Sequence, residues 1–326
     1  VRAILPRPER RDLSRTGSPS PKPYKWQLFY NDPSITRGFF FTSMSNLILQ
    51  ALRFEPSTIE TIAALANAEG VQELGPTAVR LLGVDTSQSA EIMAACQQAR
   101  LDYAFIDPVH LLRDMKILAM DMDSTLINIE CIDEIAAAVG RKAEVAAITE
   151  AAMRGEIKDF AESLTRRVAL LEGVPESALL QVYEQRLQLN AGAERLVKVA
   201  KQHGVRTLLV SGGFTFFTQR LQERLGIDEA YANTLEIKDG KLTGRVQGDI
   251  VGAQTKADHV LRLAKTLNAT KEQIIAVGDG ANDLPMMAQA YYSVAYRAKP
   301  VVQQQARFAL NVSPLDAILN WFRLSF

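Results

Sequence analysis

The sequence predicts an α/β protein: a parallel sheet with a four-helix insertion after its first strand, preceded by a small α+β unit. Three observations carry this. Strands at 116–120, 205–210 and 273–277 are each followed at once by small or acidic residues. Helical periodicity alternates with them, the mark of a parallel sheet with crossover helices. The first interval is also too long, since Asp121 and Ser211 lie 90 residues apart where a plain crossover needs about 30.

The elements follow in order. Residues 1–43 hold six of the 13 prolines and eight Lys/Arg against three Asp/Glu, so the remainder of this neutral chain carries −5. Proline at that density cannot sustain a helix, and a disordered tail is expected. Two other readings stay open: an organelle transit peptide, or a start placed upstream of Met44. Residues 45–111 read as a small domain: a strand at 47–52, a helix opened by Pro56-Ser57, one or two strands over 72–84 with a turn at Gly75-Pro76, a helix over 89–100 and a strand over 103–106. That order resembles a ferredoxin-like or ACT-type module in topology alone. Residues 108–115 form the junction to a second domain, 116–326.

Within the insertion, 132–139, 143–154, 158–171 and 175–189 show apolar residues three and four apart. Four such helices over about 131–190 make a cap able to exclude water and select a substrate. The three strands end in Asp121-Met122-Asp123-Ser124-Thr125, Ser211-Gly212-Gly213 and Gly278-Asp279-Gly280-Ala281-Asn282-Asp283. Ligands of open α/β sheets bind at the carboxyl ends of strands, so all three clusters fall on one edge.

Composition excludes several classes. Lys+Arg and Asp+Glu are each 37, so no basic field points to nucleic acid or to an anionic membrane. No apolar run is long enough to span a bilayer. Cys96 and Cys131 make no disulfide framework and suit a reducing compartment, and without a signal-peptide pattern a cytoplasmic location is expected. The three histidines lie too far apart for a zinc site.

The clustered carboxylates Asp121, Asp123, Asp279 and Asp283 repel one another unless a cation sits among them. Mg²⁺ prefers a few carboxylates plus phosphate oxygens, so the cation implies a phosphate. Ser211-Gly212-Gly213 before a helix at 214–225 would cradle an anion, and Lys256 would add a positive charge. Together these make a phosphoryl-transfer site.

At this point the sequence resembles a known group. Asp121-Met122-Asp123-Ser124-Thr125 is similar to the DxDx(T/V) signature of the haloacid dehalogenase (HAD) superfamily, and Ser211, Lys256 and the 278–283 loop match its later motifs in order. The stretches DMDSTLINIECIDEIA, ITEAAMRGEI, SLTRRVALLEGVP, LVSGGFTFF, ANTLEIKDGKLTG and AVGDGANDLPMM resemble the phosphoserine phosphatase family within it, over about 116–322. The resemblance implies a HAD-like Rossmannoid sheet with a helical-bundle cap, hydrolysis of O-phospho-L-serine, and Mg²⁺ as cofactor. It implies Asp121 as nucleophile and Asp123 as general acid and base, with Mg²⁺ held by Asp121, the Asp123 carbonyl and Asp279, and Asp283 orienting that shell. Ser211, Gly212 and Lys256 would hold the phosphoryl group, beside Gly213 and Asn282. Glu130 would meet the substrate ammonium and Arg167 its carboxylate, with the neighbouring Arg166 as the alternative, while Met153 and Phe160 would wall the pocket. Transfer of the phosphoryl group to an alcohol such as homoserine remains open. A signalling receiver is disfavoured by Asp123 and by the cap. A homodimer through the N-terminal unit is a further expectation.

Overall fold

A computed structural model of the chain describes residues 44–324, apart from Gly155, Lys158 and the side chain of Met153; the expected tail over 1–43 lies outside the described residues. The first unit runs β1 (Met44–Gln50), α1 (Pro56–Leu65), β2 (Gly70–Gly75), β3 (Ala78–Asp85), α2 (Ser89–Gln98) and β4 (Asp102–Ile106). Its sheet has the order β2-β3-β1-β4, with every neighbouring pair antiparallel. The stretch left as one or two strands is therefore a hairpin.

Strand alternation gives this sheet two apolar faces. Leu47, Leu49, Val79 and Leu81 pack against α1 and α2, whereas Ile48, Ala104 and Ile106 join the core of the second unit. The seam is also polar. The buried Asp102 carboxylate accepts backbone N–H bonds from Asn311 (2.7 Å), Val312 (3.0 Å) and Ser313 (2.7 Å).

The second unit opens with β5 (Ile117–Met120), followed by α3 (Cys131–Ala138), α4 (Lys142–Met153), α5 (Phe160–Ala169), α6 (Ser177–Gln185) and α7 (Ala193–Gln202). It continues through β6 (Arg206–Phe214), α8 (Thr215–Leu225), β7 (Glu229–Lys238), β8 (Lys241–Gln247), α9 (Ala253–Leu267), β9 (Ile274–Gly278), α10 (Leu284–Met287), β10 (Tyr292–Tyr296), α11 (Pro300–Gln305) and β11 (Phe308–Leu310). The sheet order is β11-β10-β9-β5-β6-β7-β8, parallel except for the antiparallel β7–β8 hairpin. Central β5 is buried on both faces: Ile117 and Ala119 serve one core, Leu118 and Met120 the other. That is the pattern of a parallel strand covered by helices on both sides.

The insertion forms the expected cap, α3 to α6, with α3 packed against α4 and α6, α4 against α5, and α5 also against β8. Its two stems are pinned to each other. Ile127 bridges Leu189, and Asn128 and Gln188 exchange two hydrogen bonds through the Asn128 side chain and both backbones. Helix α5 starts at Phe160, later than the periodicity suggested, because the Asp159 carboxylate caps the N–H groups of Ala161 and Glu162.

Two expectations change. Strand β6 runs through Ser211-Gly212-Gly213, and the helix after it begins at Thr215, one residue later than read. The β7–β8 hairpin, β10 and β11 were not anticipated. The hairpin turn is Asp239-Gly240, both at positive φ, a two-residue turn whose sequence signal was present. Strand β11 has only three residues, too few to show a period. Among the described residues no helix is long and apolar enough to cross a membrane.

Candidate active site

The parallel register places the site. Met120 pairs with Leu209 on one side and Val277 on the other, so Asp121, Ser211 and Asp279 leave neighbouring strand ends together. The Asp121 N–H donates to the Val277 carbonyl at 3.0 Å. Beyond Asp121 the chain makes one irregular turn, with Ser124 at φ +57°. Asn190 clamps this turn: its Nδ2 lies within bonding distance of the carbonyls of Ser124 (3.3 Å), Thr125 (2.8 Å) and Ile127 (2.9 Å). Asn190 belongs to the far stem of the cap, so the insertion's end fixes the loop that carries Asp123.

Lys256 is fully buried in the first turns of α9. Its Nζ donates to Asp121 Oδ1 at 2.6 Å and to Asp283 Oδ1 at 2.7 Å. Burial works to neutralise the lysine, but the two carboxylates outweigh it and raise its pKa. Asp283 is saturated: its Oδ2 accepts the N–H groups of Asp279 (3.1 Å) and Gly280 (2.9 Å). It therefore acts as a brace for the Asp279 loop. A Cβ on Gly278 would sit 2.5 Å from the Asp283 Cβ, so this loop closes only over glycine. Among the described residues the Asn282 side chain reaches only Asp283 Oδ1, at 3.5 Å.

Carboxylate oxygens of Asp121, Asp279 and Asp283 lie within 4.8 Å of one another. Asp279 Oδ1 accepts from Thr125 Oγ1 at 2.9 Å. One oxygen each of Asp121 and Asp279 is then left without a hydrogen-bond partner among the described residues. Burial, and then the Asp283 charge, push Asp279 up to about 7. The same two causes raise Asp121 well above the carboxylate range, against the opposing pull of Lys256. One lysine does not offset this many acids. Two free, hard oxygen donors in a negative field fit a divalent cation such as Mg²⁺.

Asp123 lies at the same sheet edge, beside Gly213. Its Oδ1 accepts the Cys131 N–H at the start of α3 (3.0 Å). Burial, then the charge of Glu130, push it up to about 7. Glu130 accepts from Ser124 Oγ at 2.7 Å. It stays in contact with solvent, yet the surrounding protein desolvates it enough to raise its pKa. Ser211 is fully buried, and its Oγ accepts the Gly213 N–H at 2.8 Å. A Cβ on Gly213 would stand 2.5 Å from Asp123 Oδ2, so glycine lets the acid and the Ser211 strand end share the space.

The cap closes from above. A Cβ on Gly212 would meet the Phe160 ring at 2.9 Å, and the same ring covers Gly252. Phe160 therefore roofs the Ser211–Gly213 segment. Of the two candidate arginines, Arg166 pairs with Glu162 on the outer surface. Arg167 is half-buried, and its charge interacts with Glu130, Asp133 and Asp123; desolvation lowers its pKa against their pull. The Met153 side chain lies outside the described residues.

Sequence reasoning missed four contributors. Asn190 and Thr125 are two of them. Asn233, buried, joins the Ser211–Gly213 segment to the one before α9: its Nδ2 donates to the Gly212 carbonyl (2.8 Å) and its Oδ1 accepts the Val251 N–H (2.8 Å). Lys299, which donates its backbone N–H to the Asp279 carbonyl (3.2 Å), adds a positive charge felt by Glu130 and Asp279. Thr125 and Asn233 lie inside the quoted motif stretches but were given no role there, and Asn190 and Lys299 carry no local signal beyond residue type.

Comparison with known proteins agrees with this geometry. The family model described as haloacid dehalogenase-like hydrolase matches residues 118–288. A phosphoserine phosphatase from Polaromonas sp. is 58% identical over 213 residues, covering 64% of this chain and 90% of that protein. The chain belongs to the phosphoserine phosphatase family of haloacid dehalogenase-like hydrolases. Two solved structures extend the likeness. An unliganded probable phosphoserine phosphatase from Vibrio cholerae has a TM-score of 0.74 and 40% identity, over 86% of each chain. A phosphoserine phosphatase bearing an analogue of the phospho-aspartyl intermediate has a TM-score of 0.60 and 38% identity, over 64% of this chain and 99% of its own. Residues 47–92 match a domain model of unknown function, so the phosphatase match leaves the first unit's role open.

Proposed function

We propose that this phosphatase hydrolyses O-phospho-L-serine to L-serine and phosphate, the final step of serine synthesis, through a phospho-aspartyl intermediate. The observation that carries this reading is the meeting of two sets of groups in one cleft. Asp121, Asp123 and Lys256 supply phosphoryl-transfer chemistry, and Glu130 and Arg167 supply opposite charges suited to an amino acid.

Asp121 attacks phosphorus while the bond to the serine oxygen breaks, and Asp123 gives that oxygen its proton. Asp123, now ionised, takes a proton from water as the water attacks phosphorus, releasing phosphate and restoring Asp121. Lys256 and the Ser211–Gly212 loop hold phosphoryl oxygens, with Gly213 allowing close approach and Asn282 at the rim. Asp121, the Asp123 carbonyl and Asp279 would hold Mg²⁺, whose charge offsets that of the phosphoryl oxygens. Asp283 keeps Lys256 and the Asp279 loop in place. Glu130 receives the ammonium and Arg167 the carboxylate, and Phe160 and Met153 line the cap side. A cytoplasmic location is supported by two free, buried cysteines. The ACT-like reading of residues 45–111, and dimerisation through that unit, rest on topology alone.

Phosphate release from O-phospho-L-serine, followed with Mg²⁺ and with excess EDTA, tests the reading. Rapid release that EDTA abolishes, well above that from phosphothreonine or an aryl phosphate, is expected. Silence from folded, Mg²⁺-supplied protein would remove the substrate assignment. Arg167 has its own test. Arg167→Ala is expected to lower kcat/KM for phosphoserine by about 10- to 100-fold, mostly through KM, by loss of a charge-assisted pair. Phosphoethanolamine, which lacks the carboxylate, should be nearly unaffected. Equal losses on both esters would assign Arg167 to the phosphoryl group instead.

A further inference from the structure

A cavity of about 400 Å³ lies between the N-terminal sheet and the second unit, walled by Asn46, Gln72, Arg80, Asp107, Val109 and Arg323 among others. Its floor is the sheet face that alternation turns toward the second unit: Asn46 from β1, Gln72 from β2 and Arg80 from β3. Its far wall is the junction at 107–109 and the C-terminal segment at Arg323.

Arg80 is an unusual floor residue. It is only 5% exposed. Its Nη1 donates to Gln72 Oε1 at 3.0 Å and its Nη2 to the Asn320 carbonyl at 3.2 Å. Both acceptors are neutral. Its buried Nε has no hydrogen-bond partner, and no carboxylate forms an ion pair with Arg80 or Arg323 among the described residues. Burial, and then the nearby charge of Arg323, lower the Arg80 pKa. Two guanidinium groups thus face one space containing one carboxylate, Asp107, which pairs with neither within 4 Å. A buried cation without a counter-ion is costly, and a second positive charge beside it adds to the cost.

We propose that this cavity binds a small oxyanion, a carboxylate or a phosphoryl group, held between the guanidinium groups of Arg80 and Arg323. A planar guanidinium offers paired donors that match both anion types, and Arg80 uses one hydrogen-bond donor of each Nη group on Gln72 and Asn320, which leaves one on each. The amides of Asn46 and Gln72 supply further polar contacts, and Asp107 leaves the cavity positive by one charge. Arg80 belongs to the first unit and Arg323 to the second, so the bound anion ties the two units together. The site is separate from the hydrolytic cleft, and the proposal does not rest on the substrate assigned there.

Calorimetric titration of the full chain with malonate, and separately with inorganic phosphate, tests the proposal in wild type, Arg323→Ala and Arg80→Lys. The hydrolytic cleft contributes equally to all three, so the difference between isotherms isolates the cavity. At least one anion is expected to bind wild type with a Kd below about 1 mM and to weaken at least about tenfold in both variants. Loss in the malonate arm alone marks a carboxylate ligand, and loss in the phosphate arm alone a phosphoryl ligand. Arg323→Ala alters an exposed side chain, so it decides the matter even if Arg80→Lys melts early. Isotherms identical in wild type and Arg323→Ala, or no binding of either anion, would overturn the proposal.

Discussion

Asp121→Asn is expected to leave a folded protein whose turnover of phosphoserine falls by at least about 10⁴-fold. The amide is nearly isosteric, so the strand end is undisturbed. Its oxygen can still accept from Lys256, which also keeps Asp283 at 2.7 Å. Folding should not suffer, because burial and the Asp283 charge already make an ionised Asp121 costly. The nucleophilic oxygen is what disappears. Acid quench of wild type during turnover should trap a phosphorylated protein, and the variant should yield none. Trapped phosphate at wild-type levels in Asp121→Asn would place the nucleophile elsewhere.

That these strand-end residues could be picked out from sequence has a physical reason. Asp121 and Asp279 follow directly on short apolar strands, Ser211 follows the apolar part of β6 where its pairing register breaks, and a parallel sheet delivers these points to one edge. Local sequence thus encodes a long-range meeting. The cap was legible for a similar reason, since four periodic helices have nowhere else to go in a 90-residue interval. Asn190 and Asn233 were not legible. Their work is to bond main-chain carbonyls some 20 to 66 residues away, and backbone acceptors leave no trace in a sequence. The supporting place expected for Asp283 gains its physical content only from the structure, where bonds to two N–H groups and Lys256 make it a brace. The Arg166 or Arg167 choice needed the helix's rotation, which places Glu162 beside one and the cleft beside the other.

Asp123→Asn is expected to lower kcat by about 10²- to 10⁴-fold, the range for loss of a general acid and base, while making the metal-free protein more stable at alkaline pH. Both effects have one origin. Burial, then Glu130, hold the folded carboxyl at about 7, whereas an unfolded aspartate titrates near 3.9. The folded state therefore binds this proton more tightly. Its contribution to stability is fully present below about pH 4, falls as pH rises, and is gone above about pH 7. A shift of about three units is on the order of 4 kcal/mol. Asparagine carries no such penalty, so in EDTA the variant should match wild type near pH 4 and exceed it at pH 8 in urea melts. A variant no more stable than wild type at pH 8 would refute this account. In the kinetics, the wild-type alkaline limb should be absent from the residual activity of the variant. In the proposed mechanism the same desolvation that weakens the fold keeps a proton on Asp123 near neutral pH, ready for the departing serine oxygen.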